Sequence, residues 1–97
     1  MKIKILIPIY NDWQSADKLI NKIDNLVKEI NHEFSVVIVN DGSSEIKPDR
    51  FGFSENLNSV QILNIKKNMG HARCIATGLK HIFQNDEFDY IIPMDGD

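Results

Sequence analysis

The sequence predicts an α/β fold, a mainly parallel open sheet with helices on both faces, and three observations carry that expectation. Short β-branched apolar runs alternate with longer segments whose apolar residues recur at helical spacing. The runs themselves are almost uniformly apolar, as in strands covered on both sides. Clusters of turn-forming polar residues follow several of them, and open α/β sheets gather their ligands outside the carboxyl ends of the strands.

Lys2 to Tyr10 is the first expected strand, apolar from Ile3 to Ile9. Asn11-Asp12-Trp13 turns the chain, and a helix over roughly 15–31 follows, with Leu19, Ile23, Leu26 and Ile30 as its stripe and Ile20 and Val27 beside it. Phe34 to Val39 is a second strand, ended by the turn cluster Asn40-Asp41-Gly42-Ser43-Ser44. From Glu45 to Asn58 periodicity disappears, which reads as a surface connection with room for a helical turn. Val60 to Ile65 is a third strand, stopped by Lys66-Lys67-Asn68. After Gly70-His71 a second helix carries Ala72, Ile75, Ala76, Leu79, Ile82 and Phe83, with Ala72, Ala76 and Gly78 small enough for close approach to the sheet. Tyr90 to Met94 is the last strand, giving the order β-α-β-loop-β-α-β.

That strand delivers Asp95-Gly96-Asp97 to its carboxyl end. Alternation puts both carboxylates on one side, and Gly96 leaves backbone clearance. Hard carboxylate oxygens suit Mg²⁺ or Mn²⁺, and such ions take few protein ligands when substrate phosphates complete the shell. Taken alone, an Asp-X-Asp after a strand reads as a solvated turn more readily than as a metal site, so the other strand ends decide the matter.

Composition narrows the classes. The 97 residues, 42% of them hydrophobic, suffice for one domain with a modest core. A formal net charge of −3, from 11 Lys and Arg against 14 Asp and Glu, with no dense basic run, gives no electrostatic reason to expect nucleic acid as a partner. The single cysteine, Cys74, excludes an internal disulfide and falls on a helical apolar face, where a small core residue is expected rather than a nucleophile. No apolar run is long enough to span a bilayer. The expected setting is a reducing cytoplasm, with membrane association left open for a longer parent chain.

Four segments in order, IPIYND (7–12), VVIVNDGSS (36–44), NMGHARCIATGL (68–79) and YIIPMDGD (90–97), resemble the amino-terminal half of the nucleotide-sugar-dependent glycosyltransferases of family 2. That family reads approximately V/I-P-x-Y-N-E, V-D-D-G-S-x-D, N-x-G-x-x-x-A-x-x-x-G and D-x-D at comparable spacings. Its polyprenyl-phosphate sugar transferase branch is the nearest in the third segment. The resemblance implies the Rossmann-like nucleotide-binding half of a GT-A fold, a nucleotide-diphosphate sugar donor, a divalent metal and inversion at the anomeric carbon. By motif position it implies a base pocket shaped by Pro8, Tyr10 and Asn11, a base contact from Asp41, and Asp95 with Asp97 serving ribose, phosphates and metal. Arg73 is expected to face the nucleotide as well. Two positions depart from the pattern: Asp12 stands where Glu is usual, and Asn40 where the first Asp of D-D-G-S stands.

No residue is assigned as catalytic base, which inverting transfer requires within hydrogen-bond reach of the acceptor hydroxyl. The sequence therefore reads as a partial domain ending at its metal motif, inactive alone and prone to pair as a homodimer. His71 reads either as a phosphate or metal contact or as a helix-start residue that packs, and Trp13 either as a base-stacking ring or as a clamp over the first helix. Two other classes are weighed against the transferase: a nucleotide-binding module without turnover, and a haloacid-dehalogenase-like phosphatase. In the latter Asp-X-Asp usually opens the domain, whereas here it follows two other strand-end motifs. A dinucleotide-binding fold is disfavoured because no Gly-X-Gly-X-X-Gly follows the first strand.

Overall fold

A computed structural model of the chain describes residues 1–95. Its elements are β1 (Lys2–Ile9), α1 (Trp13–Val27), β2 (Glu33–Asp41), β3 (Ser59–Ile65), α2 (His71–Asn85) and β4 (Tyr90–Pro93). The four strands form one sheet in the order β3-β2-β1-β4, every pair parallel. This is the expected α/β architecture, with β1 and β2 at the centre where their apolar runs are buried on both faces.

Parity along the strands sorts the core into two layers. Ile5, Ile7 and Ile9 of β1 and Phe34, Val36 and Ile38 of β2 face α1, meeting Trp13, Ala16, Ile20, Ile23 and Val27. Leu6, Val37 and Val39 face the other way, meeting Cys74 and Ile82 of α2. The register pairs Leu6 with Val37 and Ile7 with Ile38, so neighbouring strands agree at each level about which side is which. The helices thus cover opposite faces.

Two helix stripes differ from expectation. In α1 the buried row is Trp13, Ala16, Ile20, Ile23 and Val27, while Leu26 is 69% exposed and Ile30 lies beyond the helix end. The helix begins at Trp13 because its indole is anchored, edge-on to Phe51 with ring centroids 5.2 Å apart and with Nε1 donating to the Glu45 carbonyl at 3.1 Å. That anchor turns the face by about one position relative to the row read from the sequence. The helix stops at Val27 because β2 must enter the sheet with Glu33 beside Lys2, and residues 28–32 make the reversal. In α2, Gly78 sits close to the sheet as expected, but Ala72, Ala76 and Phe83 are exposed, and Phe83 packs edge-on against Phe88 with centroids 5.0 Å apart.

The connection before β3 has no helix or strand, yet it is not a simple surface loop. Phe51 and Leu57 insert into the α1-side core, each 8% exposed. Asp17 and Asp24, seven positions apart on α1, pin it from outside by accepting main-chain N–H groups of Gly52 and of residues 55–57.

Candidate functional site

The same parity that builds the core selects the residues at the carboxyl edge. Pro8 follows Leu6 on the α2 side of β1, Asp41 follows Val39 on the α2 side of β2, and Asp95 follows Ile91 at the same parity beyond β4. The ladder continues past β4 far enough for Met94 N–H to reach the Leu6 carbonyl at 2.8 Å, which fixes the approach to Asp95. A cavity of about 260 Å³ opens there, lined by Pro8, Ile9, Tyr10, Asp12, Asp41, Asn68, Gly70, His71, Cys74 and Asp95. Ligand pockets ordinarily run to about 300–1,000 Å³, so this one encloses part of a nucleotide-sized molecule and leaves the rest along the sheet edge.

Four residues read from the sequence as donor-binding, Pro8, Tyr10, Asp41 and Asp95, are brought together around this cavity. Tyr10 is half exposed, with its ring available at the rim. Asp41 is 4% exposed, and its carboxylate accepts main-chain N–H groups of Met69 at 2.7 Å and Gly70 at 3.1 Å. Gly42 next to it has φ +68, and an added Cβ would meet Asn68 N at 2.5 Å, so the chain after β2 passes directly against the turn before α2.

Asn11 and Arg73 are placed differently. The Asn11 side chain is spent on the loop after β2: Nδ2 donates to Ser44 Oγ at 3.1 Å, and Oδ1 accepts Glu45 N–H at 2.8 Å. Its own N–H donates to Ser43 Oγ at 2.8 Å. Arg73, on the first turn of α2, is exposed and outside the cavity lining. Asp97 lies outside the described residues, and with it half of the expected metal pair. Among the described residues no group of three or more His, Cys, Asp or Glu is arranged to hold a metal ion.

The two ambiguous side chains are separated by the structure. Trp13 is a clamp, 5% exposed against Phe51, whereas His71 lines the cavity at the start of α2. Asn40 shows how its departure from the family pattern is accommodated: Oδ1 accepts Ser43 N–H at 3.1 Å and Nδ2 donates to Asn64 Oδ1 at 3.0 Å, a donation no aspartate makes. Asp12, Asn68 and Gly70 were not read as site residues. The available signal was topological, since the β1–α1 and β3–α2 turns both leave the sheet at its carboxyl edge.

Cys74 closes the inner wall, its thiol 3.5 Å from the Val39 carbonyl, and burial, aided by the Asp41 charge, pushes its pKa up to about 11. It is a packed thiol, not a nucleophile. Three concavities among the described residues are larger: two, of about 600 and 410 Å³, lie at the opposite edge around Lys2, Glu33 and Glu87, at the amino ends of the strands, and one, of about 490 Å³, lies between the loops after β1 and β2, lined by Asn11, Asp12, Trp13 and Glu45 among others. Strand direction argues against the amino-end pair, and of the two at the carboxyl edge the smaller is the one that gathers Pro8, Tyr10, Asp41 and Asp95.

No described helix is long and apolar enough to cross a membrane. A family model described as Glycosyl transferase family 2 matches residues 4–97, nearly the whole chain. With its parallel α/β sheet and strand-end motifs, the chain belongs to glycosyl transferase family 2.

Proposed function

We propose that this glycosyltransferase domain binds a nucleotide-diphosphate sugar at the carboxyl edge of its sheet, with a Mg²⁺ or Mn²⁺ ion between the diphosphate and the protein, and presents the sugar to an acceptor. The observation that carries the reading is the meeting of Pro8, Tyr10 and Asp95 around one cavity at the strand ends. Three carboxylates, Asp12, Asp41 and Asp95, border that cavity and would repel a bare diphosphate. A divalent cation reconciles an acidic cavity with a polyanionic ligand.

The donor set fits such an ion. Asp95 supplies hard oxygens at the cavity mouth, and Asp97 stands two residues on in the sequence. Mg²⁺ is commonly held by one or two carboxylates with substrate phosphates and water completing the octahedron. The ion, when bound, neutralises charge on the leaving diphosphate. Tyr10 and Pro8 form the apolar wall for the base. The base that activates the acceptor is not assigned to a residue. Residues 1–97 form the donor-binding half in this reading, and bind without transferring sugar by themselves.

Calorimetric titration of the chain with UDP and GDP, in Mn²⁺ and in EDTA, tests the proposal. Binding in Mn²⁺ that is lost in EDTA, and lost again in Asp95→Ala and Asp97→Ala, is the expected result. Equal affinity in both conditions removes the metal from the reading. Homodimerisation belongs to the same proposal: Tyr90 and Ile92 of β4 are 57% and 39% exposed at the side of the sheet, and sedimentation over a range of concentrations measures it.

A further inference from the structure

Strand order lays the proposed donor out along the carboxyl edge. Asp95 stands beyond β4, Pro8 and Tyr10 at the end of β1, Asp41 at the end of β2, and the turn 68–70 leads from β3 into α2. With the strands in the order β3-β2-β1-β4, a diphosphate held at Asp95 sends its base across β1 toward β2. Neighbouring strands lie about 4.8 Å apart, so β4 to β2 spans about 10 Å, the scale of a nucleotide from its phosphates to the far edge of its base. The group beyond that edge comes from α2.

That group is His71. Asp41, 4% exposed at the back of the cavity, accepts Met69 N–H at 2.7 Å through Oδ1 and Gly70 N–H at 3.1 Å through Oδ2. Its main-chain carbonyl accepts Asn68 Nδ2 at 3.2 Å. These bonds hold the 68–70 turn against the end of β2, and His71 is the next residue. Gly70 enters the helix at φ 91, a conformation natural to glycine, and its carbonyl accepts Cys74 N–H at 2.9 Å. His71 is thereby the first residue of α2, exposed and lining the cavity. Arg73, two positions on, leaves the helix about 200° further around its axis and lies outside the lining.

The two side chains are chemically complementary. Each Asp41 oxygen takes one protein N–H from the turn and keeps acceptor capacity for a ligand. A carboxylate accepts, whereas an imidazole N–H donates. An acceptor beside a donor matches a base edge where a ring N–H adjoins a ring carbonyl: N3–H with O4 in uracil, N1–H with O6 in guanine. Cytosine and adenine present the reverse, a bare ring nitrogen beside an amino group.

We infer that His71 is a specificity-determining residue: its imidazole N–H donates to the ring carbonyl of the base, next to the ring N–H directed at Asp41, and so selects uracil or guanine over cytosine or adenine. The inference rests on the proposed donor site and deepens it with a base contact from α2.

The test titrates the wild-type chain and His71→Ala, both in Mn²⁺, with UDP, GDP, CDP and pyrophosphate, the last carrying the phosphates without a base. The wild type is expected to prefer UDP or GDP to CDP. In His71→Ala the affinity for the preferred nucleotide falls about tenfold, while CDP and pyrophosphate keep theirs. An equal loss for the preferred nucleotide and CDP means that the ring touches phosphate or ribose, or stacks without reading the base, and overturns the inference. Unchanged affinity for every ligand overturns it too, as does a wild type that takes CDP as tightly as UDP and GDP. If His71→Ala does not fold, the imidazole of the wild type decides, observed by NMR in Mg²⁺: the His71 ring nitrogen signals shift with the preferred nucleotide and not with pyrophosphate. A shift produced equally by pyrophosphate, or none with the nucleotide, overturns the inference. A wild-type chain that binds none of the four ligands instead overturns the functional reading beneath it, a result distinct from all of these.

Discussion

Asn11 and Glu45 are joined across the carboxyl edge of the sheet, the Asn11 side-chain carbonyl accepting the Glu45 N–H at 2.8 Å. With Ser43 and Ser44 bonded to the same residue, Asn11 ties the loop after β1 to the loop after β2. It does so at φ 58, a left-handed conformation that asparagine tolerates and alanine does not. Asn11→Ala loses both the side-chain bonds and the backbone tolerance, and is expected to destabilise the chain by about 2–3 kcal/mol in urea unfolding. Asn11→Gly loses the side-chain bonds alone and is expected to recover about 1 kcal/mol of that. Equal stabilities for the two variants would show that φ at this position costs nothing.

Asp24 gives the chain an acid-sensitive fastening. Its Oδ1 accepts N–H groups of Asn56 at 2.7 Å, Leu57 at 3.0 Å and Glu55 at 3.2 Å. Burial by itself would raise its pKa, but the donors of Asn56, Glu55 and Leu57 outweigh it and hold the carboxyl below the ordinary 3.8. A carboxyl lowered in the folded state stabilises fully above its unfolded value and loses that contribution as pH falls through the folded value. Asp24→Asn is therefore expected to cost about 1–2 kcal/mol at pH 7, allowing for solvent screening, and to approach wild type as the pH falls from 3.8 through the lowered folded-state value. A difference that persists undiminished at low pH would assign the effect to something other than the charge.

The division between what the residues announced and what they concealed follows from the range of the interactions involved. The central strands were legible because Ile3 to Ile9 and Phe34 to Val39 are apolar without interruption, a pattern that a doubly covered parallel strand produces locally. The grouping of Pro8, Tyr10, Asp41 and Asp95 was legible because strand direction alone sends all of them to one edge. The exposure of Leu26 was not, since the rotation of α1 depends on Trp13 meeting Phe51, a residue 38 positions away in a segment with no periodicity of its own. Nor were the bonds to the Asp41 carboxylate, which come from amides of the turn beyond the next strand.

Gly78 is expected to resist replacement although it sits inside a helix. Alanine there gains about 1 kcal/mol of helix propensity. Its Cβ, however, would lie 2.7 Å from Leu6 Cδ1 and 2.7 Å from Val39 Cγ2, both in side chains that are fully buried. Overpacking of that kind costs about 1–3 kcal/mol, so the clash wins and Gly78→Ala is expected to lower stability. Shortening the neighbour discriminates the cause: Val39→Ala is expected to be less harmful in the Gly78→Ala background than in the wild type. Additive losses in that double-mutant cycle would rule out the steric account.

The buried thiol offers a probe of the site's inner wall. Cys74 is 0% exposed, and burial followed by the nearby Asp41 charge raises its pKa from 9.0 to about 11. The thiolate is the reactive species, so at pH 8 its population in the folded chain is on the order of a hundredfold below that of the unfolded one, before access is considered. Labelling by a thiol-specific disulfide reagent is expected to be slow in buffer and fast in denaturing urea. Asp41→Asn removes the charge that helps hold the thiol protonated, yet the larger cause, burial, remains, so in a folded variant the rate is expected to rise by only a few-fold. A rate in Asp41→Asn that matches the unfolded chain would mean instead that this carboxylate keeps the inner wall closed by holding the 68–70 turn in place.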